Sequence, residues 1–213
     1  MYRDTAIPQS APLTASFTQG GLIIGITGGT GCGKTTLLNV IAEKGGMILD
    51  CDAVYHHLLT TDDTLLNAIA QRFPGTVENG QLQRKKLGSI VFADKEALQD
   101  LNSITHSAVK AEVLRQLESK PRLAAIDAIA LFEGGLAELC DATVAVTAPE
   151  EVRVRRLMLR DNIPEDYARS RIAAQHSEDW FRQRCGYILE NTGTQEQFQE
   201  KCIDFLRILG IMD

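Results

Sequence analysis

Gly28-Gly29-Thr30-Gly31-Cys32-Gly33-Lys34-Thr35 fits the spacing G-x-x-x-x-G-K-[ST], and what flanks it decides the fold. The apolar run Leu22–Ile26 ahead of it predicts a buried strand, and residues 34–43 behind it predict a helix. Glycines between a strand and a helix let consecutive backbone N–H groups curl around an anion, and the helix N-terminus adds partial positive charge. Gly29, Gly31, Cys32, Gly33, Lys34, Thr35 and Thr36 are therefore expected to cradle the phosphates of a nucleoside triphosphate. Lys34 would reach the β- and γ-phosphates, and the Thr35 hydroxyl would ligate Mg²⁺. The competing reading is a glycine-rich turn that merely matches the spacing, and it leaves the flanking strand and helix unexplained.

Around this loop, strand and helix patterns alternate, which predicts a parallel sheet covered on both faces: a three-layer α/β/α fold of the P-loop NTPase type. Further strands are expected at Met47–Asp50, at Leu123–Asp127 continuing through Ala128–Phe132, at Ala142–Thr147 and at Tyr187–Leu189. Residues 53–119 show no core strand. They read instead as helices at 53–59, 64–72, 82–92, 96–102 and 107–118, with turns at Pro74-Gly75 and Asn79-Gly80 and an N-cap at Asp94. Pro149 opens a helix to Asp161, Pro164 opens another to about Gln175, and an amphipathic helix at 195–209 closes the chain. The expected division is a flexible leader at 1–20, a nucleotide-binding core at 21–54, 119–150 and 186–213, a helical acceptor domain at 55–118, and a lid at 151–185. The lid is suggested by eight of the chain's fourteen arginines, which fall between Arg153 and Arg184. An arginine fork suits phosphate and developing transition-state charge, although nearby acids also permit a solvated, ion-paired surface.

A length of 213 residues suits one α/β domain with insertions, and 44% hydrophobic with 23% charged residues suits a soluble chain with a full core. The net charge of −6 argues against a nucleic-acid surface, and no apolar run is long enough to cross a bilayer. A cytoplasmic protein is expected. Five scattered cysteines without a C-x-x-C pair suit neither a disulfide framework nor a zinc site. Cys32 and Cys51 flank the expected site, so oxidation or alkylation there would be expected to block it.

Asp50 and Asp52 end the second strand, where a parallel sheet faces its ligand crevice. Either acid could cap the following helix. Asp50 is expected to cap or to assist Mg²⁺, and Asp52 to accept the proton of an attacking hydroxyl. Asp127, closing the apolar stretch 123–126, is a second candidate for Mg²⁺. A guanine-reading N-K-x-D segment and a D-x-x-G switch are both absent, which favours a small-molecule kinase over a switch protein.

From residue 21 onward the sequence is similar to the dephospho-coenzyme A kinase family. The resemblance runs through Gly25–Thr36, Ile48–Asp52, Gly80–Leu87 with Val91-Phe92, Leu101-Asn102 with His106, Ile126-Asp127 with Ala130–Glu133, Arg156 with Arg160-Asp161, Arg171 with Gln175, and Asn191–Gly193. It implies transfer of the ATP γ-phosphate to the ribose 3′-hydroxyl of dephospho-coenzyme A, with Mg²⁺. On that resemblance Asp52 is the base, Lys34 with Arg156 or Arg160 neutralises developing charge, and Arg84 and His106 hold the acceptor. Glu133 and Asp127 support the site from the sheet, and Asn191 and Gly193 belong to the final nucleotide loop. The sequence departs from the family at Ile129 and Ser107, where prolines are usual. A nucleoside or nucleoside-monophosphate kinase on the same fold is the alternative, and an ATPase without a small acceptor is a third reading. Oligomeric state is not legible.

Overall fold

The computed structural model describes residues 21–211, so the leader expected at 1–20 lies outside the described residues. The chain divides into two compact units. The first takes in residues 21–48, Pro121–Ile129 and 140–211; the second takes in Leu49–Lys120 and Ala130–Leu139.

A five-stranded sheet of order β2-β5-β1-β6-β7 organises the first unit. Its strands are β1 (Leu22–Thr27), β2 (Met47–Asp50), β5 (Leu123–Asp127), β6 (Ala142–Thr147) and β7 (Tyr187–Glu190). β1 pairs in parallel with β5 on one side and β6 on the other, and β6 pairs in parallel with β7. Being central, β1 is apolar on both faces, and Ile24 and Ile26 are fully buried. Helix α1 (Lys34–Glu43) buries Leu37, Val40 and Ile41, the spacing of one helical face. Helix α9 (Gln195–Ile208) buries Phe198, Cys202, Phe205 and Leu206 in the same core. Its first turn is held by a reciprocal cap between Thr194 and Gln197. The unit is completed by α6 (Glu150–Asp161), α7 (Glu165–Ala173) and α8 (Glu178–Arg184). The fold is the expected parallel α/β sheet of the P-loop NTPase type.

The second unit is helical: α2 (Cys51–Thr61), α3 (Asp63–Arg72), α4 (Arg84–Val91) and α5 (Lys95–Leu117), with a hairpin of β3 (Val77–Glu78) and β4 (Gln81–Leu82) turning at Asn79-Gly80. Asp94 caps α5 as expected, accepting from the N–H groups of Glu96 and Ala97. Three expectations are corrected. The strand through Asp127 does not continue to Phe132: Ala128 N–H makes one last bond to Ile26 O, and the chain then turns. The helices expected at 96–102 and 107–118 are one helix of 23 residues. Thr105 and Ser107 do not break it because their hydroxyls donate back to carbonyls of the preceding turn. Leu82 belongs to the hairpin, and the short helix α8 was not anticipated. Among the described residues no helix is long and apolar enough to cross a membrane.

Candidate active site

In the first unit the glycine-rich sequence leaves β1 and enters α1 through a loop that α6 grips by its carbonyl oxygens. Nε of Arg153 donates to Thr30 O at 2.9 Å. Nη1 of Arg156 donates to Gly31 O at 3.1 Å and Cys32 O at 3.3 Å. Nδ2 of Asn191 donates to Cys32 O at 2.9 Å, while its Oδ1 accepts from Nη2 of Arg156 at 3.2 Å. Lys34 folds back over the loop, with Nζ donating to Gly28 O at 3.1 Å. In a trans peptide the carbonyl and the next N–H point in opposite directions. Pinning the carbonyls of Gly28, Thr30 and Cys32 therefore turns the N–H groups of Gly29, Gly31 and Gly33 away from these donors, as a cradle for phosphate requires.

Two glycines are explained by this packing. Gly33 has φ +95°, and a Cβ there would lie 2.4 Å from Nδ2 of Asn191. At Gly29 a Cβ would lie 2.2 Å from Nη2 of Arg153. Thr36 N–H bonds to Gly33 O as α1 begins, and Thr35 stands exposed in the first turn. Cys32 is buried in the loop. Burial pushes its thiol pKa up, against the opposing pull of Arg153, Lys34 and Arg156. Asn191 is 4% exposed and follows β7, its own N–H bonded to Thr147 O at the end of β6. Gly193 sits just before the cap of α9. Asp127 ends β5 beside β1, in register with Ile26.

Four of the eight arginines of α6 to α8, Arg160, Arg169, Arg171 and Arg182, are ion-paired. Arg160 binds Asp161 through both Nε (2.7 Å) and Nη2 (3.0 Å), and Nη1 of Arg171 reaches the same carboxylate at 2.6 Å. These two guanidinium groups hold the Asp161 carboxyl down at about 2. Arg169 is held by Glu150, Glu151 and Glu165, and Arg182 by Glu178 and Glu190. Arg156 meets loop carbonyls and Asn191, whereas Arg160 meets Asp161. Sequence reading counted Arg153 only among the eight arginines of the lid segment, and it placed Gln175 only within a motif. The available signal was the i, i+3 spacing of Arg153 and Arg156, which puts both on the same face of α6.

In the second unit Asp50 caps α2, its carboxylate accepting from Ala53 N–H at 3.0 Å. Asp52 lies in the first turn of that helix and is exposed. Arg84 starts α4, and its Nη2 stands 3.5 Å from Nδ1 of His56 on α2. The neighbouring Tyr55 hydroxyl has its pKa raised by burial, opposed by the Arg84 charge. Arg84 is thus placed against the helix that carries Asp52. His106 faces the turn at Gly134 from α5, where a Cβ on that glycine would lie 3.7 Å from its Cγ. Glu133 is exposed in the same turn, and Lys110 anchors the segment through Glu138 at 3.0 Å. His106 and Glu133 therefore share one locality, as Arg84 and α2 share another.

A family model for dephospho-CoA kinase matches residues 22–197, from β1 to the cap of α9. The dephospho-CoA kinase of Corynebacterium diphtheriae is 34% identical over 180 residues, which is 82% of this chain and 90% of that protein. That of Syntrophotalea carbinolica is 35% identical over 189 residues, covering 85% and 89%. A solved Thermus thermophilus protein superposes with a TM-score of 0.77 at 31% identity, covering 92% of this chain and all of that one (100%).

Proposed function

The chain belongs to the dephospho-CoA kinase family, and from that premise we propose how its residues carry out the reaction. The enzyme phosphorylates the ribose 3′-hydroxyl of dephospho-CoA at the expense of ATP, giving coenzyme A and ADP in the final step of coenzyme A biosynthesis. The acceptor follows from the family, and the ATP side of the reading is supported by one observation: the carbonyls of Thr30, Gly31 and Cys32 are bonded to side chains of α6 and to Asn191, which leaves the opposite side of the loop to phosphate.

In the proposed mechanism the backbone N–H groups of Gly29, Gly31, Gly33, Lys34 and Thr35, with the Lys34 ammonium, bind the triphosphate, while Cys32 and the Thr36 hydroxyl line the same loop. Asp52 orients the 3′-hydroxyl and accepts its proton as the new O–P bond forms. The bond between the γ-phosphorus and the β,γ-bridging oxygen breaks, and ADP leaves with that electron pair. Lys34 and the Arg156 or Arg160 guanidinium offset the charge that develops. Arg84 and His106 hold anionic parts of the acceptor, with Glu133 beside them. Residues 55–118 serve as the acceptor domain and 151–185 as a lid that excludes water, the competing acceptor. Asn191 and Gly193 complete the nucleotide site.

Among the described residues no cluster of three or more His, Cys, Asp or Glu could cage a metal. The exposed Thr35 hydroxyl and the Asp127 carboxylate are hard oxygen donors, which suits a Mg²⁺ that takes its other ligands from nucleotide and water. When bound, that ion would neutralise phosphate charge. The acidic balance and the absence of an apolar membrane-length helix among the described residues fit a cytoplasmic enzyme.

The test is mass spectrometry of dephospho-CoA incubated with Mg-ATP and the enzyme. A product heavier by one phosphoryl group is expected. Lys34→Ala and Asp52→Asn should each lower kcat by about 10² or more with the fold intact. A near-normal Asp52→Asn enzyme would remove that residue from the base role.

A further inference from the structure

Thr30, at the apex of the phosphate loop, has both of its backbone polar groups taken by side chains from the arginine-rich segment. Its carbonyl accepts from Nε of Arg153, and its N–H donates to Oε1 of Gln175 at 2.8 Å. The same Oε1 accepts from Nη2 of Arg153 at 2.9 Å, which closes a ring of three hydrogen bonds around one residue. The amide orientation is fixed chemically, since a backbone N–H and a guanidinium can only donate and the oxygen must face both. Gly29 leaves room for the ring: a Cβ there would lie 2.2 Å from Nη2 of Arg153 and 3.1 Å from Oε1 of Gln175.

From this geometry we infer that Gln175, acting with Arg153, is a positioning residue that sets the apex of the phosphate loop for ATP. It touches neither the phosphates nor the acceptor. It holds the Thr30 peptide from behind, so that the N–H of Gly31 beyond it keeps its aim. The bonds it forms span 145 residues to Thr30 and 22 to Arg153, so the loop cannot take this shape from its own sequence. Losing a bond to a charged donor and leaving a loop N–H unmatched corresponds to a factor of about ten or more. The inference rests on the ATP-binding role of the loop proposed above.

Two variants separate positioning from bulk. Gln175→Leu keeps the side-chain size and removes the acceptor, whereas Gln175→Glu keeps an acceptor oxygen whose charge Arg153 offsets. ATP binding is measured by calorimetry on the full chain without acceptor, and KM values for both substrates are measured separately. Gln175→Leu should weaken ATP binding about tenfold and leave the dephospho-CoA KM within about twofold; Gln175→Glu should return ATP binding to within about threefold of wild type. Trp180 is the chain's one tryptophan and stacks on His176, with ring centroids 3.8 Å apart, so its emission reports whether the segment beside Gln175 stays in place. ATP affinity unchanged in Gln175→Leu, or equally poor in both variants, would overturn the inference. Should Gln175→Leu alter Trp180 emission or fail to fold, Arg153→Lys decides. A single ammonium cannot span Thr30 O and Gln175 Oε1 with a planar fork, so the same loss of ATP affinity is expected, and undiminished affinity overturns the inference. Wild-type protein that binds ATP but leaves dephospho-CoA unmodified would count against the acceptor assignment alone, with the positioning role still judged by binding.

Discussion

Replacing Asn191 by alanine should cost the enzyme both stability and ATP affinity, and the structure sets the scale. The side chain is 4% exposed and makes two hydrogen bonds, one donated to Cys32 O at 2.9 Å and one accepted from Arg156 at 3.2 Å. A neutral bond contributes about 0.5–1.5 kcal/mol and one to a charged partner about 1.5–3 kcal/mol. Arg156 keeps its bonds to Gly31 and Cys32 in the variant, so the lower half of the sum applies, about 2–3 kcal/mol. Urea denaturation with an unchanged m-value reads this directly. ATP affinity should fall by about tenfold as the Cys32 peptide loosens. Asn191→Asp is the informative control. It keeps the shape and adds attraction to Arg156, but sets an oxygen against the Cys32 carbonyl, so it should do no better than alanine. A loss below about 0.5 kcal/mol in Asn191→Ala, with ATP affinity intact, would show that the loop holds its shape without this anchor.

Gly33→Ala places a Cβ 2.4 Å from Asn191 Nδ2 at φ +95° and should abolish ATP binding, which calorimetry would check. The Asp161 carboxyl is held at about 2, below its ordinary 3.8, first by Arg160 and then by Arg171. Its contribution to stability is full above the ordinary value and disappears as pH falls through about 2. The melting-temperature gap between wild type and Asp161→Asn should therefore be constant near neutrality and shrink below pH 4 or so; a gap that widens in acid would contradict the pairing. Arg84→Ala should raise the KM for dephospho-CoA more than that for ATP, and steady-state kinetics with both constants unmoved would exclude it from acceptor binding. Cys32, buried and with its thiol pKa raised, should resist iodoacetamide at pH 8 until the protein unfolds. Peptide mapping that finds it modified in native protein would contradict that burial.

The phosphate loop, β1, α1 and the parallel strands were legible because each is written locally, as apolar runs bounded by glycine or a charged residue. The false strand through Phe132 arose because apolar character continues past Asp127, yet Ala128 and Leu131 are buried in a turn rather than a ladder. The gap expected between 102 and 107 is absent because Thr105 and Ser107 return their hydroxyls to carbonyls of the same continuous helix. For Asp50 the sequence leaves a cap and a Mg²⁺ role both open, and its carboxylate does cap α2. What no local pattern could show was the destination of the arginines. Whether a guanidinium meets a carboxylate, as Arg160 does, or a loop carbonyl, as Arg153 does, depends on which helix face turns toward the loop.

The loop grip has a consequence for how the enzyme comes into being. The side chains that hold the carbonyls of Thr30, Gly31 and Cys32 are synthesised 123 to 159 residues after the loop itself. At about 5–20 residues per second, roughly 10–30 s separate the synthesis of the loop from that of Asn191. During that interval a nascent chain carries the nucleotide-binding sequence without its anchors. Nucleotide capture should therefore switch on only after Asn191 has been made, making ATP a ligand that stabilises chains carrying all the anchors over shorter ones.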